Sequence, residues 1–155
     1  MPNFPFSIVL VAPDIPGNTG SIGRTCVALN LRLILIRPYG FDLSEKSLRR
    51  AGLDYWKHIN LTEYDSLEEF FNREDPKDEE LFLYSKTVSQ NFYQANYETG
   101  GYLIFGAETT GLPSSFLKKF SKRVYSLPMY GEFVRSLNLA NAATAVAYQA
   151  IAHLH

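Results

Sequence analysis

A polar stretch rich in glycine follows the first apolar run of the chain. It reads PDIPGNTGSIGRTC (13–26) and places Asn18, Thr19 and Arg24 at or just inside the expected start of a helix. Free N–H groups at a helix N-terminus attract anions, so these residues could face a phosphate or a ribose. In the simpler alternative, Asn18 or Thr19 caps the helix and Arg24 is solvated. The glycines, at a spacing of three, fit neither the dinucleotide-binding fingerprint nor the phosphate-binding loop.

A second polar stretch, FGAETTGLP (105–113), follows another buried run. Gly106 and Gly111 permit close backbone approach, and Glu108 stands between them. A simple turn would explain the glycines, but it explains less well a carboxylate flanked by two threonines.

The third stretch, LPMYGEFVRSLNLANAATAVAYQA (127–150), has Arg135 and Ser136 just before an alanine-rich helix that begins near Asn138. On that helix one face carries a polar stripe, because its members follow the 3.6-residue period. The stripe consists of Asn138, Asn141, Ala145 and Tyr148. The helix therefore either packs against a partner subunit or is a core helix whose asparagines are hydrogen-bonded.

Other chemistries are disfavoured by residue type and spacing. His58, His153 and His155 lack the spacing of zinc ligands, so we expect no metal site. The single cysteine, Cys26, excludes an internal disulfide and lies in an apolar helical stretch, where a small buried side chain is expected rather than a nucleophile. No G-x-S-x-G elbow is present.

The elements that must position these loops follow from the apolar runs. Nearly continuous runs predict strands covered on both faces, at 6–12, 32–37, 81–85, 101–106 and 123–128. Helices are expected between them, at 19–30, from Ser44 to Gly52, after Ser66 in DSLEEFFNRE, at PSSFLKKF and at about 138–153. This alternation predicts a single α/β domain, 1–155, with a mostly parallel sheet flanked by helices. The segment 72–80, NREDPKDEE, is expected to be a solvated charged turn.

The charge balance and the absence of targeting signals limit the partners. With 15 Lys and Arg against 16 Asp and Glu, the net charge is -1, so nucleic acid would be bound only through a local or assembled basic patch. No apolar run is long enough to span a membrane, and the N-terminus lacks a basic region before its apolar run, so we expect a cytoplasmic protein with no membrane partner.

Together and in this order, the three stretches resemble the three motifs of the SPOUT methyltransferases. The short chain, the LRRAGLDYW segment and the RSLNL start of the third stretch are similar to the TrmL, or YibK-like, group. That group methylates the ribose 2'-oxygen of the wobble nucleotide, a cytidine or uridine, in the tRNA anticodon. The resemblance covers essentially the whole chain.

The resemblance implies a deep C-terminal trefoil knot, a homodimer with the first and last helices near its interface, and S-adenosylmethionine as methyl donor. Contacts to this cofactor are expected at Tyr84, Gly106, Leu127 and Ser136. The anticodon stem-loop of tRNA is the expected partner, with no metal.

The same resemblance implies catalytic roles for Asn18, Arg24, Arg135 and Tyr148. An arginine stays protonated, so Arg24 is expected to bind a phosphate or the developing alkoxide, and Arg135 the rim of the substrate or cofactor site. A phenol beside two cations loses its proton more readily, so Tyr148 is the expected proton acceptor. RNA contacts are expected at Arg49, Arg50 and Asn138, and Asn18 also orients the loops.

Ala107, Thr110 and Ala140 depart from the residues usual in the second and third motifs, Pro, Arg and Ser. These departures leave open a non-catalytic RNA-binding dimer of the same fold, or a 2'-O-methyltransferase that acts on another tRNA or rRNA site. A nucleotide-dependent α/β enzyme of other chemistry is disfavoured by the glycine spacing.

Overall fold

A six-stranded, wholly parallel sheet forms the centre of the protein. The structure is a computed structural model that describes residues 4–43 and 55–155. The strands lie side by side in the order β3-β2-β1-β5-β4-β6, and every neighbouring pair is parallel. They are Phe6–Val11 (β1), Arg32–Ile36 (β2), Asn60–Tyr64 (β3), Leu81–Tyr84 (β4), Gly101–Phe105 (β5) and Val124–Tyr125 (β6).

Within residues 4–43 and 55–155, four α-helices flank the sheet: Pro16–Leu29 (α1), Leu67–Glu74 (α2), Ser114–Lys119 (α3) and Leu139–His153 (α4). Helix α1 starts earlier than expected because Pro16 is suited to a first helical turn. The expected cap of α2 is confirmed, since Ser66 Oγ accepts the Glu69 N–H at 3.1 Å. The helix expected from Ser44 to Gly52 lies outside the described residues. Among the described residues, none of the helices combines the length and apolar character needed to cross a membrane.

The strands have nearly continuous apolar sequences because both faces of the sheet are covered. Ile8, Leu33 and Leu103 face a core shared with α1 and α4. Val9 and Ile34, one position along, face the opposite core with α2 and α3. Burial on both faces is the usual state of a parallel sheet.

The strand β3 was not expected from the sequence. It reads NLTEY and pairs with β2 at the edge of the sheet. Only Tyr64 in it is buried, so it lacks the continuous apolar run that marks the other strands. Edge strands accept polar residues because one side and part of a face meet water.

The expectation that 72–80 is a solvated turn is wrong for Glu74. This residue ends α2, and its carboxylate accepts hydrogen bonds from Arg32, Tyr64 and Tyr102. The Glu74 side chain is only 10% exposed. An acidic residue within a charged run is thus mostly buried, because it has hydrogen-bond partners on three strands.

The strand order brings the polar loops to one edge of the sheet. Strands β1 to β3 extend in one direction and β4 to β6 lie on the other side, so the order reverses between β1 and β5. Ligands of open α/β sheets bind beyond the carboxyl ends of the strands at such a point. After β6, the chain returns to the middle of the sheet, where Ala143, Val146 and Ala147 of α4 pack in the core with β1 and β5.

Candidate functional site

A cavity of about 880 Å³ lies beyond the carboxyl ends of β1, β5, β4 and β6. Its walls come from the loops that follow these four strands, which are consecutive neighbours at one side of the sheet. All four expected cofactor residues line it, together with three other expected site residues. They are Tyr84, Gly106, Leu127, Ser136, Asn18, Arg135 and Asn138.

The loop after β5 is a tight turn that only glycine permits at its two ends. The Gly111 N–H donates to the Ala107 carbonyl at 2.8 Å, and Gly111 has a φ of +70°. A Cβ on Gly106 would lie 2.1 Å from the Gly111 carbonyl carbon and 2.2 Å from the Leu112 nitrogen. The backbone therefore folds onto itself at Gly106, with no room for a side chain at that position.

Glu108, at the tip of this turn, caps helix α1 from a distance in sequence. Its Oε1 accepts the Asp14 N–H at 2.8 Å, and its Oε2 accepts the Ile15 N–H at 2.9 Å. The same turn is tied a second time, because Thr109 Oγ1 donates to Asp14 Oδ2 at 2.7 Å. The loops after β1 and β5 are thus joined across the point where the strand order reverses.

The start of α1 differs from the expected capping. Neither Asn18 nor Thr19 is the N-cap, because the helix begins at Pro16 and Ile15 holds that position. Glu108 instead binds the N–H groups of Asp14 and Ile15, which lead into the first helical turn. Thr19 is fully buried, and its hydroxyl has no hydrogen-bond partner among the described residues.

Asn18 and Asn138 continue the link from Glu108 to the last helix. The Asn18 amide donates to Glu108 Oε2 at 3.1 Å, and its oxygen accepts from Asn138 Nδ2 at 3.1 Å. Asn138 in turn caps α4, accepting the N–H of Ala140 at 2.9 Å and of Asn141 at 3.4 Å. We call Glu108, Asn18 and Asn138 the amide relay; it connects one residue from each of the three loops.

Tyr84 lines the cavity, but its hydroxyl is committed to the core. The hydroxyl is 2.8 Å from that of Tyr97, and the ring stacks on Phe105 with centroids 4.7 Å apart. Burial raises the pKa of Tyr84 well above its ordinary value. The phenol is therefore a packing element of the cavity wall rather than an acid or base.

Two expected catalytic residues do not line the cavity. Arg24 is exposed on α1, with its Cζ 5.5 Å from the ring centroid of Tyr55. Tyr148 is 55% exposed on α4 and, ten residues after Asn138, lies about 15 Å further along the helix. Arg135, by contrast, is exposed at the cavity rim. The single chain thus brings together Asn18, Arg135 and Asn138 at the cavity, but not Arg24 and Tyr148.

The expected RNA contacts Arg49 and Arg50 lie outside the described residues. Among residues 4–43 and 55–155, no group of three or more His, Cys, Asp or Glu side chains is placed to hold a metal ion. Cys26 is 1% exposed, and burial raises the pKa of its thiol to about 12, so it is the inert core residue expected.

Some contacts at the site were not foreseen. Thr25 and Thr144 join α1 to α4 through their hydroxyls, 2.7 Å apart, beside a second, open groove between these helices. Tyr55 reaches α1 by donating to the Gly20 carbonyl at 3.1 Å. The residues of each pair are far apart in sequence, so no local pattern could have shown them.

The family model and the similar proteins all point to one family of methyltransferases. The model of the SpoU rRNA Methylase family matches residues 5–148. A Geobacillus stearothermophilus protein named as a candidate tRNA (cytidine(34)-2'-O)-methyltransferase is 44% identical over 149 residues, which are 93% of this chain and 92% of that protein. A Bacillus subtilis protein of the same name is 44% identical over 147 residues, 93% of this chain and 90% of that protein.

Solved structures agree with the fold. One, from work on the 2-OH methylation of C/U34 on tRNA, is 42% identical with a TM-score of 0.91 and covers 99% of this chain and 98% of that one. The SpoU methyltransferase AviRb from Streptomyces viridochromogenes, solved with AdoMet, is 24% identical with a TM-score of 0.84 and covers 99% of this chain and 62% of that one.

Proposed function

The chain belongs to the SpoU methylase family, and from this we propose that it is an S-adenosylmethionine-dependent RNA 2'-O-methyltransferase that modifies the wobble nucleotide, position 34, of tRNA. The observation that carries the proposal is the convergence of the three motif loops on one cavity at the β1–β5 reversal. The choice of substrate is supported by relatives that match over nearly their whole length at above 40% identity and whose names refer to position 34 of tRNA.

The cavity fits the methyl donor. Its volume suits a nucleoside-sized ligand, and Gly106 lies in its lining. We propose that Gly106, Leu127 and Ser136 hold it largely through their main chains, with Tyr84 packing the wall. When bound, S-adenosylmethionine supplies an electrophilic methyl group on a sulfonium centre.

The residues of the chain position the acceptor and move its proton. Arg135 at the rim is placed to hold the RNA near the cavity, and Asn138 and Asn18 fix the loops through the amide relay. Such positioning can lower the activation barrier by roughly 7–11 kcal/mol. We propose that Arg24 stabilises the 2'-oxygen or its neighbouring phosphate and that Tyr148 accepts the hydroxyl proton.

These last two roles require a homodimer. Neither Arg24 nor Tyr148 lines the cavity of its own protomer, yet both are exposed on α1 and α4. The exposed stripe of α4, which comprises Asn141, Ala145, Tyr148 and Ala152, gives a second copy a flat surface of small side chains around one tyrosine. We propose that α1 and α4 form the dimer interface and that each protomer completes the cavity of the other.

Two further properties belong to the same proposal. The return of the chain from β6 at the sheet edge to α4 at its centre supports a C-terminal trefoil knot that includes 126–138. We also propose that the protein acts in the cytoplasm, with the anticodon stem-loop of tRNA as its partner.

The test is methyl transfer to an unmodified tRNA transcript with labelled cofactor, followed by nucleoside mapping. We expect one 2'-O-methyl group at position 34. The matched control is the same RNA with a 2'-deoxy nucleotide at that position, which should accept none. Methylation at another nucleotide would contradict position 34 as the target and indicate a different tRNA or rRNA site.

Cofactor binding separates catalysis from simple RNA binding. Calorimetry should show that the protein binds both S-adenosylmethionine and its demethylated product. RNA binding without cofactor binding would instead identify a non-catalytic RNA-binding dimer.

A further inference from the structure

Arg24 rests on the face of an aromatic ring. Its guanidinium carbon lies 5.5 Å from the centroid of the Tyr55 ring, within the range of about 6 Å for a cation–π contact. Among the described residues, Arg24 has no ion pair and no side-chain hydrogen bond. The ring is therefore the contact that restrains the guanidinium, and its N–H donors remain open.

The Tyr55 ring is itself anchored to the helix that carries Arg24. The Tyr55 hydroxyl donates to the carbonyl of Gly20 at 3.1 Å, and Gly20 precedes Arg24 by one helical turn. Partial burial raises the pKa of Tyr55, while Arg24 acts to lower it, so the phenol keeps its proton for this bond near neutral pH. The Tyr55 ring and the Arg24 guanidinium are thus both attached to the same turn of α1.

The segment that follows Tyr55 is held to α1 by close packing. A Cβ on Gly23 would lie 2.5 Å from Ile59 Cδ1 and 3.0 Å from Trp56 Cζ3. The bare backbone at Gly23 therefore lets Trp56 and Ile59 approach α1 directly. Since Trp56 follows Tyr55 directly and Ile59 comes four residues after it, this packing holds the Tyr55 backbone close to the helix.

We propose that Tyr55 is a positioning residue that holds the Arg24 guanidinium over its ring, so that the free N–H groups are presented to the RNA. This inference rests on the proposed function. A guanidinium can stack with its face and donate to a phosphate or ribose oxygen with its edge, which an ammonium cannot do. Without the ring, the long Arg24 side chain would sample many rotamers, and ordering it would reduce the gain from each RNA contact.

The test combines a spectroscopic readout with a double-mutant cycle. The Arg24 side-chain N–H resonance should be displaced by the ring current of Tyr55 in the wild type and in Tyr55→Phe, and should lose that displacement in Tyr55→Leu. In methyl transfer to an anticodon stem-loop, Tyr55→Leu should lower kcat/KM about two- to fivefold, the size expected of an exposed cation–π contact. Tyr55→Phe should recover most of this loss.

The cycle with Arg24→Ala distinguishes positioning from general structural support. If Tyr55 acts through Arg24, then Tyr55→Leu causes no further loss in the Arg24→Ala background. Equal losses in both backgrounds would overturn the inference. The control Tyr93→Leu, a tyrosine 53% exposed and away from the cavity, should leave kcat/KM unchanged.

Failure of the inference and failure of the proposed function give different results. If the wild type methylates RNA but no ring-current displacement is seen, Tyr55 does not hold Arg24. If the wild type methylates no RNA, the proposed function fails, and the same cycle is measured on stem-loop binding by fluorescence anisotropy. Absence of coupling there, or absence of binding, overturns the positioning role as well.

Discussion

Glu108 shows at the residue scale how one side chain can assemble a site without touching the reacting atoms. Its carboxylate accepts three hydrogen bonds, from Asp14, Ile15 and Asn18, and so joins two loops. We expect Glu108→Ala to lower the free energy of unfolding by about 1–3 kcal/mol, because three donors lose a charged acceptor and α1 loses its cap. Urea unfolding measures this change.

The matched control for Glu108 is Glu98→Ala, which removes an exposed carboxylate and should change stability by less than about 0.5 kcal/mol. Cofactor affinity should also fall in Glu108→Ala but not in the control. Equal stability of the two variants would show that the amide relay does not hold the loops together.

Cys26 allows a second residue-scale prediction. The thiol is buried in the core, and its pKa is raised to about 12, so at pH 8 it is both inaccessible and protonated. A thiol reagent should therefore label the folded protein only as fast as the protein opens, and should label it at once in denaturant. Immediate labelling of the native protein would contradict the burial of α1 against the sheet.

The turn after β5 sets the prediction at the scale of elements. In Gly106→Ala the added Cβ would meet backbone atoms at 2.1 and 2.2 Å, so the turn must open and the cavity wall must move. We expect loss of S-adenosylmethionine binding by calorimetry, with a lower melting temperature. Gly131→Ala is the matched control, since Gly131 also lines the cavity but has no atom within 4 Å of an added Cβ.

Glu74 ties a helix to three strands and makes this link sensitive to acid. Burial alone would raise the pKa of Glu74, but hydrogen bonds from Arg32, Tyr64 and Tyr102 outweigh it and lower the pKa. A lowered folded-state pKa gives stability that is present above about pH 4.3, the ordinary value for glutamate, and is lost as the pH falls through the folded value. Glu74→Gln should be less stable than the wild type at pH 7, and the two should converge in acid.

Chemical unfolding from about pH 7 down to about pH 2 checks this prediction for Glu74. Glu68→Gln, an exposed change on the same helix, provides the comparison and should keep the slope of the wild type. A constant gap between wild type and Glu74→Gln at every pH would exclude the proton-linked contribution.

The sequence predicts elements well where one physical signal dominates. The five expected strands are covered on both faces, so each has a nearly continuous apolar run, whereas β3 at the edge has polar residues and gives no such run. The three polar loops could be expected at one edge of the sheet because they follow parallel strands, whereas the cofactor residues within them were implied by the family resemblance. The partner of the α1 N-terminus, Glu108, lies more than 90 residues away, so no local pattern could identify it.

At the scale of the whole molecule, the exposed stripe of α4 leads to a prediction about assembly. Tyr148 was correctly placed on one helical face with Asn141, but that face points away from the cavity of its own protomer. Sedimentation should give twice the chain mass of 17.6 kDa. Ala145→Glu should shift the protein towards the monomer, because a charge would be buried at the interface.

Loss of activity in an Ala145→Glu monomer that still binds S-adenosylmethionine would support completion of each cavity by a second copy. A fully active monomer would contradict it. Lys119→Glu, on the exposed surface of α3, reverses a charge outside the stripe and should leave the mass unchanged.

Side chains of the protein itself, Glu108 and Asn138, bind backbone N–H groups at the starts of α1 and α4, and this affects which abundant cell metabolites can bind in the cavity. Adenosine triphosphate and the nicotinamide dinucleotides share the adenosine group, but they are usually captured by free amides at a helix N-terminus. Here Glu108 holds the Asp14 and Ile15 N–H groups that lead into α1, Asn138 holds N–H groups in the first turn of α4, and the carboxylate adds a negative charge that repels phosphate. The enzyme would thus discriminate against the polyanionic nucleotides around it and admit an adenosine compound whose tail is cationic.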